Sequence, residues 1–203
     1  MTENQPSTAK TDLRRELLAA RRALSADTLS AAARALSRSA LELPELSSAR
    51  TVAAYVSIGS EPGTRELLDA LRAAGTRVLL PVLLPDNDLD WAAYEGPGSL
   101  AEAAHPGKMR LLEPAGPRLG PDAVTGADAV LLPGLAVDRR GMRLGRGGGS
   151  YDRVLERLER AGAHPALVVL LYDDEVVARV PEEPHDHPVR AAATPSGVVR
   201  FSA

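Results

Sequence analysis

An α/β fold, with helices on both faces of a mainly parallel sheet and a helical pair ahead of it, is what this sequence predicts. Three observations carry the prediction. The first forty residues repeat apolar side chains at helical spacing. From residue 51 the pattern changes to short apolar runs alternating with amphipathic segments. One of those runs, Ala129–Val137, leads through a glycine-rich loop into a further helical segment. Strand-helix-strand alternation implies parallel strands joined by crossover helices, hence three layers, α/β/α.

Residues 1–7 show no apolar pattern and are expected to be disordered, leaving 8–203 as a single α/β domain. Thr8–Leu24 reads as a basic amphipathic helix with Leu13, Leu17, Ala20 and Leu24 on one stripe. Ser25 suits the N-cap of a second helix, Ala26–Leu41, which carries Leu29, Ala33, Leu36 and Ala40. Thr51–Val56 reads as a buried strand, and Thr64–Ala74 as a helix stopped by Gly75. Arg77–Leu80 is a strand ending at Pro81, and Leu89–Tyr94 is another. The Gly- and Pro-rich stretch 95–127 is expected to be mainly loop. Ala129–Leu132 is a strand, Tyr151–Ala161 a helix ended by Gly162, and Ala166–Tyr172 a strongly apolar strand. Asp173–Arg179 suits one or two helical turns. Val180–Pro195 reads as a tail, and Val198–Phe201 as a short closing strand.

Composition narrows the function classes. The 203 residues suit one domain, and 44% hydrophobic with 25% charged residues is ordinary for a globular protein. A net charge of −3 argues against a general nucleic-acid binder. The chain has no cysteine, which excludes thiolate chemistry and cysteine-based zinc sites. No apolar run reaches membrane-spanning length, and the start MTENQPSTAK lacks a signal-like apolar region. The expectation is a cytoplasmic protein without membrane or nucleic-acid partners. No exposed apolar stripe demands a partner, so a monomer is expected.

The stretch Arg143–Asp152 packs four glycines, two arginines, a Ser-Tyr pair and an acid into ten positions. Glycines let backbone N–H groups close on a ligand. A helix start adds free donors and partial positive charge, and arginines add fixed charge in a planar fork. Together these describe a phosphate cradle, although a glycine run alone is often only a flexible turn. It is not a P-loop, which needs a lysine before Ser or Thr. Nor is it a dinucleotide fingerprint, since Ser150 stands where the third glycine belongs.

Ligands of open α/β sheets sit beyond the carboxyl ends of the strands. Ser57–Thr64, Asp138–Asp152 and Asp173–Asp174 leave strands at such places. Asp152, at a helix start, serves either that helix end or a Mg²⁺ held on phosphates. Asp186 is the second candidate acid. A transition-metal site on His185, Asp186 and His187 is disfavoured, because alternating loop residues rarely converge on one ion. Lys10 and Arg14 share one helix face and matter only if that face covers the phosphates. Glu61, beside the apolar Val56 and Ile58, suits a flat heterocycle bearing N–H groups.

The chain resembles the 5-formyltetrahydrofolate cyclo-ligases, also called 5,10-methenyltetrahydrofolate synthetases. The resemblance rests on Lys10-x-x-x-Arg14 with Arg21–Ser25, Tyr55–Thr64, LLPGLAVD at 131–138, GMRLGRGGGSYDR at 141–153 and VPEEPHDHPV at 180–189. It implies a three-layer fold like those of certain sugar-phosphate isomerases and CoA transferases. It also implies that ATP phosphorylates the formyl oxygen of 5-formyltetrahydrofolate, that N10 attacks the activated carbon, and that phosphate leaves. Carried over by position, it makes Lys10, Arg14, Arg143, Leu144, Gly145, Arg146, Gly147, Gly148, Gly149, Ser150 and Tyr151 ATP contacts. Val56, Glu61, Arg146, Gly147, Gly148, Gly149 and Ser150 become folate contacts. Asp152 and Asp186 become Mg²⁺ ligands, with Arg146 and Tyr151 as the catalytic pair. The chain departs from the family pattern at Ser150, Met109 and Arg190, which keeps open a non-catalytic nucleotide- or folate-binding protein of the same fold. A sugar-phosphate isomerase or kinase-like enzyme is a third reading.

Overall fold

The computed structural model describes residues 5–107 and 110–202. Helices α1 (Gln5–Arg22) and α2 (Ala26–Leu41) and a single turn, α3 (Pro44–Ser47), precede β1 (Thr51–Ala53). There follow α4 (Arg65–Ala73), β2 (Arg77–Leu83), β3 (Leu89–Ala93), β4 (Leu100–Ala103), β5 (Leu111–Pro114), β6 (Ala129–Pro133), β7 (Ala136–Asp138) and β8 (Arg143–Leu144). The chain continues through α5 (Ser150–Arg160), β9 (Ala166–Leu170), β10 (Val176–Val177), β11 (Ala191–Thr194) and β12 (Gly197–Arg200).

The central sheet runs β12-β11-β9-β6-β1-β2-β3. Its five inner strands are parallel, and the edges β12 and β3 are antiparallel to their neighbours. Alternate side chains of each strand serve opposite faces. Val52, Leu80 and Leu131 meet Leu36, Leu67, Leu68 and Leu71 of α2 and α4 on one face. Ala53, Val130, Leu132 and Val169 meet Val154, Leu155 and Leu158 of α5 on the other. Each such buried leucine contributes about 1.5–3 kcal/mol, so these two interfaces hold the layers together. The expected three-layer α/β class with a mainly parallel sheet is what the structure has.

Several local expectations are corrected. The unfolded start concerns residues 1–4, which lie outside the described residues, and 5–7, which are already helical. Pro6 sits in the first turn of α1, where a missing N–H is tolerated. Strand β1 ends at Ala53, three residues early, where the chain turns off into a loop that leads to α4. Strand β2 instead runs through Pro81 to Leu83. Residues 77 and 79 direct their backbone polar groups toward β1, and residue 81 shares that side. Pairing with β1 has already stopped at Leu79, so the absent N–H breaks no ladder bond. The 95–127 stretch holds the hairpin β4–β5. The region after β9 forms one 3₁₀ turn, Asp173–Glu175, and then β10. The supposed tail contains β11, a fully buried strand of three alanines and a threonine whose small side chains gave no periodic apolar signal.

Helix α1 is rotated from its predicted stripe. Leu13 and Leu17 do pack, against a cluster of Leu135, Ala136, Leu144 and Val180. Ala20, however, is exposed, and Arg21 takes the inward place at only 2% exposure. Arg21 Nε and Nη2 donate to Glu175 Oε1 and Oε2 at 2.6 and 2.8 Å, and Nη2 also donates to the carbonyl of Gly134 at 2.7 Å. The Tyr172 ring lies 5.6 Å from the guanidinium carbon. This bidentate, ring-covered pair decides how α1 docks. Ser25 caps α2 as expected, accepting from the Thr28 N–H at 3.1 Å.

Candidate active site

The loop after β1, the glycine loop after β8 and the segment after β10 surround a cavity of about 600 Å³, whereas Asp173 and Asp174, after β9, do not line it and face a separate groove. The loop after β1 braces itself. The Thr64 hydroxyl donates to the Tyr55 carbonyl at 2.8 Å and accepts from the Ser57 N–H at 2.9 Å. The Tyr172 hydroxyl donates to the Ser60 carbonyl at 3.0 Å. Glu61 is thereby held inward at 8% side-chain exposure, with Oε2 accepting from the Ile58 N–H at 2.8 Å. Burial raises its carboxyl above the ordinary value, against the pull of that N–H and of Arg146. Arg146 Nε lies 3.3 Å from Glu61 Oε1, bridging the loop after β1 and the glycine loop.

Two positions of the glycine loop require glycine by their backbone. Gly147 and Gly149 have φ of +92° and +78°, the left-handed region that suits glycine. A Cβ on Gly145 would stand 2.8 Å from Arg143 Nη1. Arg14 Nε donates to the Gly145 carbonyl at 2.9 Å, so α1 lays its basic face on this loop. Arg143 is 7% exposed. Its Nη1 donates to the Pro133 carbonyl at 3.0 Å, and its Nη2 lies 3.4 Å from Asp152 Oδ1. Burial lowers its guanidinium pKa, against the nearby Asp152. The Nε of Arg143 and the hydroxyl of Tyr151 are buried without a hydrogen-bond partner among the described residues. Orphaned donors are costly, and both residues line the cavity. Burial also raises the Tyr151 phenol well above its ordinary value.

The third charged element is the 183–186 segment. Asp138, wholly buried, accepts the N–H groups of Arg140, Met142 and Val180 and so ties this segment to the β7–β8 turn. Lys10 Nζ donates to Glu183 Oε2 and Asp186 Oδ2, each at 2.7 Å. Burial works to raise the Asp186 carboxyl, yet the bonds from Lys10 and the Glu183 N–H hold it below the usual range. Glu183, His185 and Asp186 place ligand atoms within 4.8 Å of one another. His187 is not among them. It lies 3.8 Å from Glu159 and lines a separate groove with Arg190.

The structure brings Lys10, Arg14, Val56, Glu61, Arg143 through Asp152, and Asp186 to this one cavity. Asp152 sits by Arg143, outside the cluster around Asp186. Met109 lies outside the described residues. Sequence reasoning did not single out Glu183, although it stands three residues before Asp186. It also missed the wall opposite the glycines, made by Pro81, Leu83, Leu89, Leu111 and Leu112. Beside that wall, Glu113 accepts from the Leu83 N–H at 3.1 Å and lies 2.7 Å from His105 Nε2. One side of the cavity therefore offers cations, loop N–H groups and carboxylates. The other offers an apolar surface with two buried acids, Glu61 and Glu113. No described helix is long and apolar enough to cross a membrane.

Residues 6–195 match the 5-formyltetrahydrofolate cyclo-ligase family. A 5-formyltetrahydrofolate cyclo-ligase of Mycolicibacterium smegmatis is 44% identical over 158 residues, covering 75% of this chain and 77% of that protein. One of Escherichia coli is 33% identical over 157 residues, covering 76% and 83%. The solved 5,10-methenyltetrahydrofolate synthetase of Aquifex aeolicus superposes with a TM-score of 0.78 at 27% identity, over 96% of this chain and 93% of that one.

Proposed function

This chain belongs to the 5-formyltetrahydrofolate cyclo-ligase family and is a ligase; on that premise we propose that it closes 5-formyltetrahydrofolate to 5,10-methenyltetrahydrofolate at the expense of ATP and with Mg²⁺. The observation that carries the proposal is the pairing of two unlike walls in one cavity. The cationic, glycine-lined wall suits a triphosphate, and the apolar wall with Glu61 suits a flat, N–H-bearing ring.

The chemistry asks for positioning and charge neutralisation. The formyl oxygen attacks the γ-phosphorus and ADP leaves, which makes the formyl carbon electrophilic. N10 then attacks that carbon and loses its proton, and phosphate departs with the former formyl oxygen as the amidinium ring closes. Lys10, Arg14 and the N–H groups of the glycine loop hold the phosphates. The Arg146 guanidinium, 41% exposed, offsets charge on the phosphoryl group in flight. Glu61 accepts from the pterin N–H groups. Tyr151 directs its unpaired hydroxyl to the bound substrates.

Mg²⁺ takes carboxylate oxygen, which both Asp152 and Asp186 bring to this cavity. Asp152 and Asp186 would hold it, and it would neutralise phosphate charge. The test is the near-ultraviolet absorbance of methenyltetrahydrofolate formed from 5-formyltetrahydrofolate. The expected signal requires ATP and Mg²⁺ and disappears in Asp152→Ala. Signal without ATP sinks the phosphoryl-transfer reading.

A further inference from the structure

Lys10 is an enclosed cation of this cavity, with its side chain 8% exposed. Its ammonium stands between two carboxylates, 2.7 Å from Glu183 Oε2 and 2.7 Å from Asp186 Oδ2. The Glu183 N–H donates to that same Asp186 oxygen at 2.8 Å, which fixes the two acids relative to each other. One turn along the same helix, Arg14 already touches the glycine loop. Lys10 thus stands between two competing anions: the acid pair it holds in this structure, and phosphate bound at the loop. A hard divalent cation seeks the same carboxylate oxygens that the ammonium now occupies.

We propose that Lys10 is a built-in counter-cation, which a divalent metal must displace from Glu183 and Asp186 and which nucleotide phosphate draws away. The proposal rests on the reading of Asp186 as a metal ligand, and it adds Glu183 to the groups that receive the ion. Without nucleotide, the lysine satisfies the acid pair and metal binds weakly. With nucleotide, the ammonium moves to phosphate and leaves two negative charges for the metal. Nucleotide and metal then favour each other by the same factor, as linkage requires. Free metal is kept from filling the site ahead of ATP.

The test titrates nucleotide-free, full-length protein with Mn²⁺, which suits oxygen ligands as Mg²⁺ does. Free ion is followed by its electron paramagnetic resonance signal. Lys10→Met is expected to bind Mn²⁺ at least about tenfold tighter than wild type, the size of effect one adjacent charge has on a carboxylate's proton affinity. Lys10→Gln, neutral and able to donate to both acids, guards against a folding defect and is expected to behave likewise. Lys10→Arg keeps the charge and stays weak. Adding Asp186→Asn to Lys10→Met abolishes the gain. Mn²⁺ binding by both neutral variants no tighter than wild type overturns the proposal. A second titration, of the Mn²⁺ complex of a non-hydrolysable ATP analogue, separates the two readings. If Asp186→Asn weakens that complex while the neutral Lys10 variants change nothing, the exchange alone falls. If Asp186→Asn is without effect in both titrations, Asp186 is not a metal ligand and both readings fall.

Discussion

The charged wall of the cavity takes its groups from α1, the glycine loop and the 183–186 segment, whereas the opposite wall takes apolar side chains from β2, β3, β5 and the loop after β1. The apolar wall is carried largely by strands paired along their length. The Lys10–Arg14 part of the charged wall is mounted on α1, which docks through the packing of Leu13 and Leu17, the Arg21–Glu175 pair and the Arg14 bond to Gly145. The apolar wall therefore stands on the sheet, and the Lys10–Arg14 part of the charged wall stands on a helix outside it. Damage to the two walls should therefore differ in kind.

The largest effect is expected at the anchor of α1. Arg21→Met leaves Glu175 buried without its cation, and removal of one partner of such a pair costs about 3–5 kcal/mol. Urea unfolding should show the loss, and Arg21→Met/Glu175→Leu should recover much of it. Where the single variant still folds, KM for ATP should rise more than KM for the folate, because α1 carries Lys10 and Arg14. Equal rises would break the separation of the walls. Next comes Arg146→Ala, expected to lower kcat by about 10²–10³, the usual cost of losing one donor to developing charge. Its effect on ATP affinity should be much smaller, and an equal loss of both would assign Arg146 to ground-state binding. Glu61→Gln keeps shape and removes charge. Hydrogen bonds to a charged group are worth about 1.5–3 kcal/mol, so KM for the folate should rise roughly ten- to hundredfold while KM for ATP stays put.

The charged wall was legible because its chemistry is written locally. Arg143 through Asp152 form one continuous run, and Lys10 and Arg14 stand four apart on one helix face. The apolar wall was not, because its residues are scattered from Val56 to Leu112 and look like any other core residues until the β4–β5 hairpin folds over β2. The hairpin itself was hidden by the surrounding glycines and prolines. The layers were readable from alternation, yet β11 escaped, since Ala191–Thr194 is too small in side chain to register as an apolar run. Arg21 misled for the opposite reason. A charged residue on a predicted helix is placed outside by default, and only its distant partner Glu175 makes burial affordable.

Acid should act on the two walls in opposite directions. Asp186 on the charged wall has a depressed pKa in the fold; burial opposes the shift, and the Lys10 and Glu183 bonds outweigh it. Its contribution to stability is present above the unfolded value and is lost as pH falls through the folded one. Glu61 on the apolar side is raised by burial, so it costs stability while ionised, and that cost is relieved as pH falls through its folded value. On the proposed reading activity follows the ionised form: protonation of Glu61 removes the charge that strengthens its bonds from the pterin N–H groups, and kcat/KM for the folate should fall on the acid side at a pH above that of an ordinary glutamate. Arg146 is one of the groups holding this carboxyl down. Arg146→Ala should therefore move the acid limb of kcat/KM to higher pH, besides lowering its plateau, while Glu61→Gln should remove the limb. A limb that stays in place in both variants would mean that another group carries it, and Glu61 would lose its assigned part.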